Sequence, residues 1–223
     1  MINYRSENNR SDATHFIPIS QRIGLPRPGR NFAWGIRITI FVVGAVVLLT
    51  LSAKIKVPFY PVPMTLQTLA IAIIAAALGA RTAGLAVLSY LVIGLAGFPV
   101  FANTPPSIPG LAYLVGPTGG YLVGFLAAAT LIGYLFECGA VRSFGGMWLA
   151  MMGGDLLILG LGVSWLAWGG VLSNSHAIGI VRALEVGFYP FVLGALLKEL
   201  LAAAIVYGAT RRPRDLWKRL DLM

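Results

Sequence analysis

Cysteine, histidine and lysine are all scarce in this chain, and each scarcity removes a class of function. Cys138 is the only cysteine, which excludes an intrachain disulfide and a thiolate metal cluster. The two histidines, His15 and His176, share no metal-ligand spacing. None of the four lysines, Lys54, Lys56, Lys198 and Lys218, follows a glycine. A phosphate-cradling loop needs Gly-Lys followed by Ser or Thr, so ATP cannot be used by that route. Ser164, in Gly162-Val163-Ser164-Trp165, lacks the closing glycine of a nucleophile elbow, and no catalytic dyad is found. Charge is sparse as well: 11% of the 223 residues are charged, against roughly 25% in soluble globular domains. Residues 1–31 have no apolar core of the secretory-signal kind.

What is abundant is apolar length. The chain is 57% hydrophobic with a mean hydropathy of +0.80, and a membrane-spanning helix needs about 20 apolar residues. Six segments meet or approach that length: Phe32–Ala53, Pro63–Gly79, Ala83–Phe101, Thr118–Phe136, Met147–Trp168 and Pro190–Tyr207. The expectation is an all-α membrane protein, a bundle of six transmembrane helices. It divides into a basic tail over 1–31, a transmembrane domain over 32–207 and a second basic tail over 208–223. An even number of spans puts both termini on one side. Arg5, Arg10, Arg22, Arg27 and Arg30 lie in one tail, and Arg211, Arg212, Arg214, Lys218 and Arg219 in the other. With Arg81 and Arg142 they mark that side as cytoplasmic, leaving Lys54, Lys56 and Arg182 outside. The net charge of +9 therefore points to the lipid bilayer and not to nucleic acid.

Against that background three embedded charges stand out: Asp155 in the fifth span, and Lys198 and Glu199 in the sixth. A charge at the centre of a membrane helix costs about 2.5–3.5 kcal/mol on insertion scales and normally faces a cavity. Asp155 and Lys198 both fall about 12–15 Å from the inner ends of their spans, so they can meet at one depth. Either they form a silent bridge that locks two helices, or they border a polar site. Glu199, about 100° round the helix from Lys198, is expected on another face. The helix starts at Pro63-Met64-Thr65-Leu66-Gln67-Thr68 and Gly116-Pro117-Thr118-Gly119-Gly120-Tyr121 expose backbone N–H groups suited to an anion. Gln67, Thr118 and Gly119 are candidate contacts there, Gly119 because it permits close backbone approach. Tyr90, Tyr121 and Asn103 add a phenol, a second phenol and an amide. Small-residue spacings at Ala72-x3-Ala76, Gly120-x3-Gly124 and Gly124-x3-Ala128 fit either internal packing or docking of a partner subunit.

Val62-Pro63-Met64-Thr65-Leu66-Gln67-Thr68-Leu69 resembles the VPxTxQTL signature of BioY proteins, the substrate-binding S components of energy-coupling-factor biotin transporters. The likeness continues through Ser89-Tyr90-Leu91-Val92-Ile93-Gly94, Gly97–Ala102, Gly116–Leu122, Gly160–Leu166 and Pro190-Phe191 to Lys198, covering about residues 45–207. The resemblance implies the six-helix S-component fold and a biotin pocket opening outward, in a bacterial cytoplasmic membrane. Biotin is then the transported ligand, and no cofactor is called for. It also implies a transmembrane coupling subunit and two cytoplasmic ATPase subunits as partners. Many members carry Gly-Asp-x-x-Lys in the last span; here Gly194-Ala195-Leu196-Leu197-Lys198 keeps the lysine and replaces the acid with Ala195. Asp155 is expected to supply that carboxylate from the fifth span. The Ala-x3-Ala pair that the resemblance implies on the first helix is absent between Ala33 and Ala53. An S component for another vitamin, an intramembrane hydrolase acting through Ser164, and a purely structural subunit are the competing readings.

Overall fold

Apolar length translates directly into helix length. A computed structural model describes residues 32–58, 60–102, 110–169 and 177–211, and within them seven helices and one two-stranded ribbon form the fold. Helix α1 is Phe32–Lys54; strands β1 (Lys56–Val57) and β2 (Met64–Thr65) follow, and then α2, Gln67–Leu95. The short α3 (Leu111–Val115) precedes α4 (Gly119–Glu137) and α5 (Phe144–Trp168). A second short helix, α6 (Ile180–Gly187), leads into α7 (Tyr189–Arg211). Five of these, over Gly35–Lys54, Gln67–Leu95, Gly119–Glu137, Phe144–Trp168 and Tyr189–Thr210, are long and apolar enough to cross a membrane. Their outward faces are apolar too, carrying exposed Ile40, Leu149 and Leu193. Helices hydrophobic all round belong in lipid or in a buried core.

The expected second and third spans appear together as α2, broken at Gly79, where the backbone turns to φ 78° and ψ 173°. In a straight helix Gln67 and Tyr90 would lie about 34 Å apart at 1.5 Å per residue. Instead the Gln67 amide donates to the Tyr90 hydroxyl at 2.8 Å. The two arms, residues 67–78 and 80–95, therefore run antiparallel, folded back at a single glycine. Only glycine enters that conformation without strain. The Glu137 carboxylate at the end of α4 fills the space a side chain at Gly79 would need, and it accepts from the Ala80 N–H at 3.2 Å. One orphan donor at the start of the second arm is thereby capped.

Boundaries move where strand pairing or turns intervene. Helix α2 begins at Gln67 and not at Pro63, because Lys56 pairs with Thr65 and Val57 with Met64 in an antiparallel ribbon. The second arm stops at Leu95, short of Phe101, as the chain turns through Gly97. Helix α6 was not expected at all. The small-residue pairs resolve as internal packing: a Cβ on Gly124 would lie 2.8 Å from the Ile158 Cα, so α4 and α5 meet backbone to backbone. Ala72 and Ala76 are likewise buried within the bundle. The Ser143 hydroxyl caps α5 by accepting from the Gly146 N–H.

Candidate functional site

A pocket with about 550 Å³ of empty space, counting its open mouth, sits where the ribbon, the first arm of α2, α4, α5 and α7 converge. The ribbon segment contributes Val62, Pro63 and Thr65, and the first arm contributes Gln67 and Thr68. Thr118, Tyr121 and Phe125 come from the α4 side, Asp155 from α5, and Phe191 and Lys198 from α7. Lys198 lies about 14 Å along α7 from Tyr189 at 1.5 Å per residue. At that depth its ammonium donates to the Thr65 carbonyl at 3.2 Å. Extended backbone at membrane depth is tolerated where it is buried in protein or lines a cavity, and Thr65 does the latter.

A chain of hydrogen bonds fixes the floor. The Thr65 hydroxyl lies 3.2 Å from both the Gln67 backbone N–H, which it accepts, and the Gln67 side-chain oxygen, to which it donates. The Gln67 amide then donates to Tyr90, whose hydroxyl donates in turn to the Val100 carbonyl at 3.2 Å. Tyr90 is fully buried behind this chain and is not on the pocket wall. It acts by setting the orientation of Gln67. Aromatic stacking continues outward: Tyr90 meets Phe101 edge-on at 5.5 Å, and Phe101 stacks on Tyr113 at 4.6 Å. Lys54 and Lys56 donate to the carbonyls of Phe101 and Ala102 at 2.7 and 2.8 Å, fastening that segment to the end of α1 and the ribbon.

The opposite wall is held by glycine contacts. The Tyr121 ring fills the space over Gly162, and its hydroxyl donates to the Gly187 carbonyl at 2.8 Å. Trp165 donates through its indole N–H to the Gly116 carbonyl at 3.0 Å, which seats the Gly116–Gly120 turn on α5. Gly119 is packed against the Leu114 carbonyl and Trp165 and does not border the pocket. Thr118, the residue before α4, does border it.

Of the residues singled out from the sequence, Gln67, Thr118, Tyr121, Asp155 and Lys198 share this one pocket. Tyr90 and Gly119 support it from behind, and Asn103 lies outside the described residues. Asp155 and Lys198 face the same space without closing an ion pair; among the described residues the ion pair present is Arg182–Glu185, on the exposed α6. Asp155 is 3% exposed and its Oδ1 has no hydrogen-bond partner. Glu199, expected on another face, is 1% exposed and buried in the same region. Lys198 reaches the Thr65 carbonyl in β2, and Glu199 lies toward Thr68 in the first turn of α2. Thr65, Thr68, Tyr113 and Phe191 are wall residues that the sequence reading did not single out, although Thr65 and Thr68 stand within the quoted signature. Ser164 is not on the wall. The result is a mostly apolar, aromatic slot whose wall also carries an ammonium, a carboxylate, hydroxyls and an amide. Such a site takes a small ligand with an apolar body and a polar head.

Residues 27–215 match the model of the BioY family. A biotin transporter BioY of Thermotoga maritima is 40% identical over 158 residues, covering 71% of this chain and 86% of that protein. Biotin transporter BioY2 of Lactococcus lactis is 35% identical over 164 residues, or 74% and 84% of the two chains. Among solved structures, the S-component for biotin from an ECF-type ABC transporter superposes with a TM-score of 0.68 over 83% of this chain and 96% of that one. At 22% identity what the two share is the fold.

Proposed function

The chain belongs to the BioY family, and from that premise we propose that it captures biotin at the membrane as the substrate-binding subunit of an energy-coupling-factor transporter. The observation that carries this reading is the convergence of Asp155 and Lys198 on one slot whose other walls hold Gln67, Thr118 and Tyr121. Biotin's ureido ring offers two N–H donors and a carbonyl acceptor. A carboxylate and an ammonium at one depth complement that pattern, and the aromatic walls suit the bicycle and the valerate chain. Asp155 takes the place of the acid that Ala195 lacks. The two arms of α2 count as separate crossings, giving six in a multi-pass protein of the bacterial cytoplasmic membrane. Both basic tails, 1–31 and 208–223, then face the cytoplasm. The energy for transport comes from a transmembrane coupling subunit with two cytoplasmic ATPase subunits.

The direct test is thermal denaturation of the purified chain with a panel of vitamins. Biotin alone is expected to raise the melting temperature, since ligand at one hundred times its Kd stabilises by about 2.7 kcal/mol. Absence of a shift with biotin rejects the reading. Replacing Asp155 by asparagine is expected to weaken biotin binding by about 1.5–3 kcal/mol, the range for a hydrogen bond to a charged group. Calorimetric titration reads this as roughly a 10- to 140-fold rise in Kd. An unchanged Kd removes Asp155 from the site.

A further inference from the structure

Three buried polar atoms in and just behind the pocket wall have no hydrogen-bond partner: Thr68 Oγ1 and Asp155 Oδ1 on the wall, and Glu199 Oε2 behind it. They come from three elements, α5, α7 and the first arm of α2, and they lie together. The Thr68 hydroxyl neighbours both carboxylates, yet completes a well-formed bond to neither. Both carboxylates are more than nine-tenths buried, Asp155 at 3% and Glu199 at 1% exposure. The charged groups facing Glu199 are Asp155 across the helix contact and Lys198 beside it. The ammonium is committed to the Thr65 carbonyl and closes no ion pair with either acid. Two carboxylates against one ammonium leave one surplus negative charge in an apolar bundle. A buried charge without a partner is strongly disfavoured, and such a site neutralises itself.

We propose that Glu199, Asp155 and Thr68 form a binding site for one monovalent cation, a proton or a sodium ion, adjoining the pocket and sharing its Asp155 wall. The cation sits toward Glu199, which does not border the pocket. Asp155 and Lys198 then remain as a balanced pair facing the ligand. Because Asp155 borders both spaces, occupancy of either changes the field at the other, and the two affinities are linked reciprocally. The inference rests on the proposed function only in naming biotin as the ligand on the far side of Asp155.

The test uses the full-length, ligand-free chain in detergent, melted from mildly acid to mildly alkaline pH. Sodium is exchanged for choline at constant ionic strength. A bound cation stabilises the folded state by mass action. Each tenfold rise in cation above its dissociation constant is expected to lift the melting temperature by about 3–6 °C for a chain of this size. A rise with falling pH and no sodium effect assigns the site to a proton; a rise with sodium at fixed pH assigns it to sodium. In either case the Glu199→Gln variant, which carries a neutral amide in place of the acid, is expected to lose the response. Should that variant not fold, Glu199→Met, an apolar side chain of similar length that can neither titrate nor ligate sodium through a carboxylate, serves for the same comparison. A wild-type chain that responds to neither ion, or a variant that responds as the wild type does, overturns the proposal. Biotin binding by a wild-type chain without a cation response sinks this inference alone. A cation response without biotin binding sinks the proposed function alone.

Discussion

Replacing Lys198 by alanine is expected to raise the Kd for biotin roughly 30- to 4,000-fold, or about 2–5 kcal/mol. The range is that for truncating one partner of a buried charged interaction, and part of it is the penalty left on the groups that remain. Those groups are visible. The Thr65 carbonyl loses its donor, and Asp155 and Glu199 lose the one ammonium that faces them. The substitution therefore strikes the ligand, the extended backbone on the pocket wall and the charge balance around Asp155 and Glu199 together. Titration calorimetry on purified protein gives the Kd, and a change below about threefold, or roughly 0.6 kcal/mol, contradicts the role assigned to Lys198.

A second large effect is expected far from the pocket. Gly133 on α4 lies against the fold-back of α2, where an added Cβ would stand 2.6 Å from the Gly79 carbonyl carbon. The obstruction is backbone, which cannot rotate away. Gly133→Ala is expected to destabilise the chain by about 3 kcal/mol, the upper end for overpacking. The melting temperature should fall by roughly 6–12 °C. Gly44→Ala is the control: nothing lies within 4 Å of its added methyl, and alanine is favoured in a helix interior by about 0.5–1 kcal/mol. A Gly133→Ala protein that melts with the wild type would mean that the fold-back is not packed as described.

Much of the architecture was legible because lipid demands long apolar runs, and those are countable. Helix α5 ends at Trp168 as read, and α7 begins within a residue of the expected Pro190. The start of α2 was less so. Whether Met64 and Thr65 extend a helix or pair with Lys56 and Val57 depends on a partner strand, and no local pattern encodes one. The site shows the same division. Asp155, Lys198 and Tyr121 were visible as polar groups out of place in apolar spans, and all three border the pocket. Tyr90 carries the same signal, but its hydroxyl is taken by Gln67 and Val100, which only the fold-back at Gly79 brings within reach. Glu199 was expected on another face from Lys198, and Lys198 borders the pocket while Glu199 does not. What the helical angle did not reveal is that Glu199 is buried as well, at 1% exposure, because burial depends on the packed neighbours.

The ribbon and the short first arm of α2 carry one more consequence. That arm, residues 67–78, is about 18 Å long, while a hydrocarbon layer is about 30 Å thick. The remaining depth is made up partly by extended chain whose peptide groups pair outside any helix: the Leu66 N–H donates to the Ile55 carbonyl, and the Thr65 carbonyl accepts from Lys198. The crossing is thus completed by a hairpin and by one side chain borrowed from α7, and loosening either strands peptide polar groups at membrane depth, where nothing else can satisfy them.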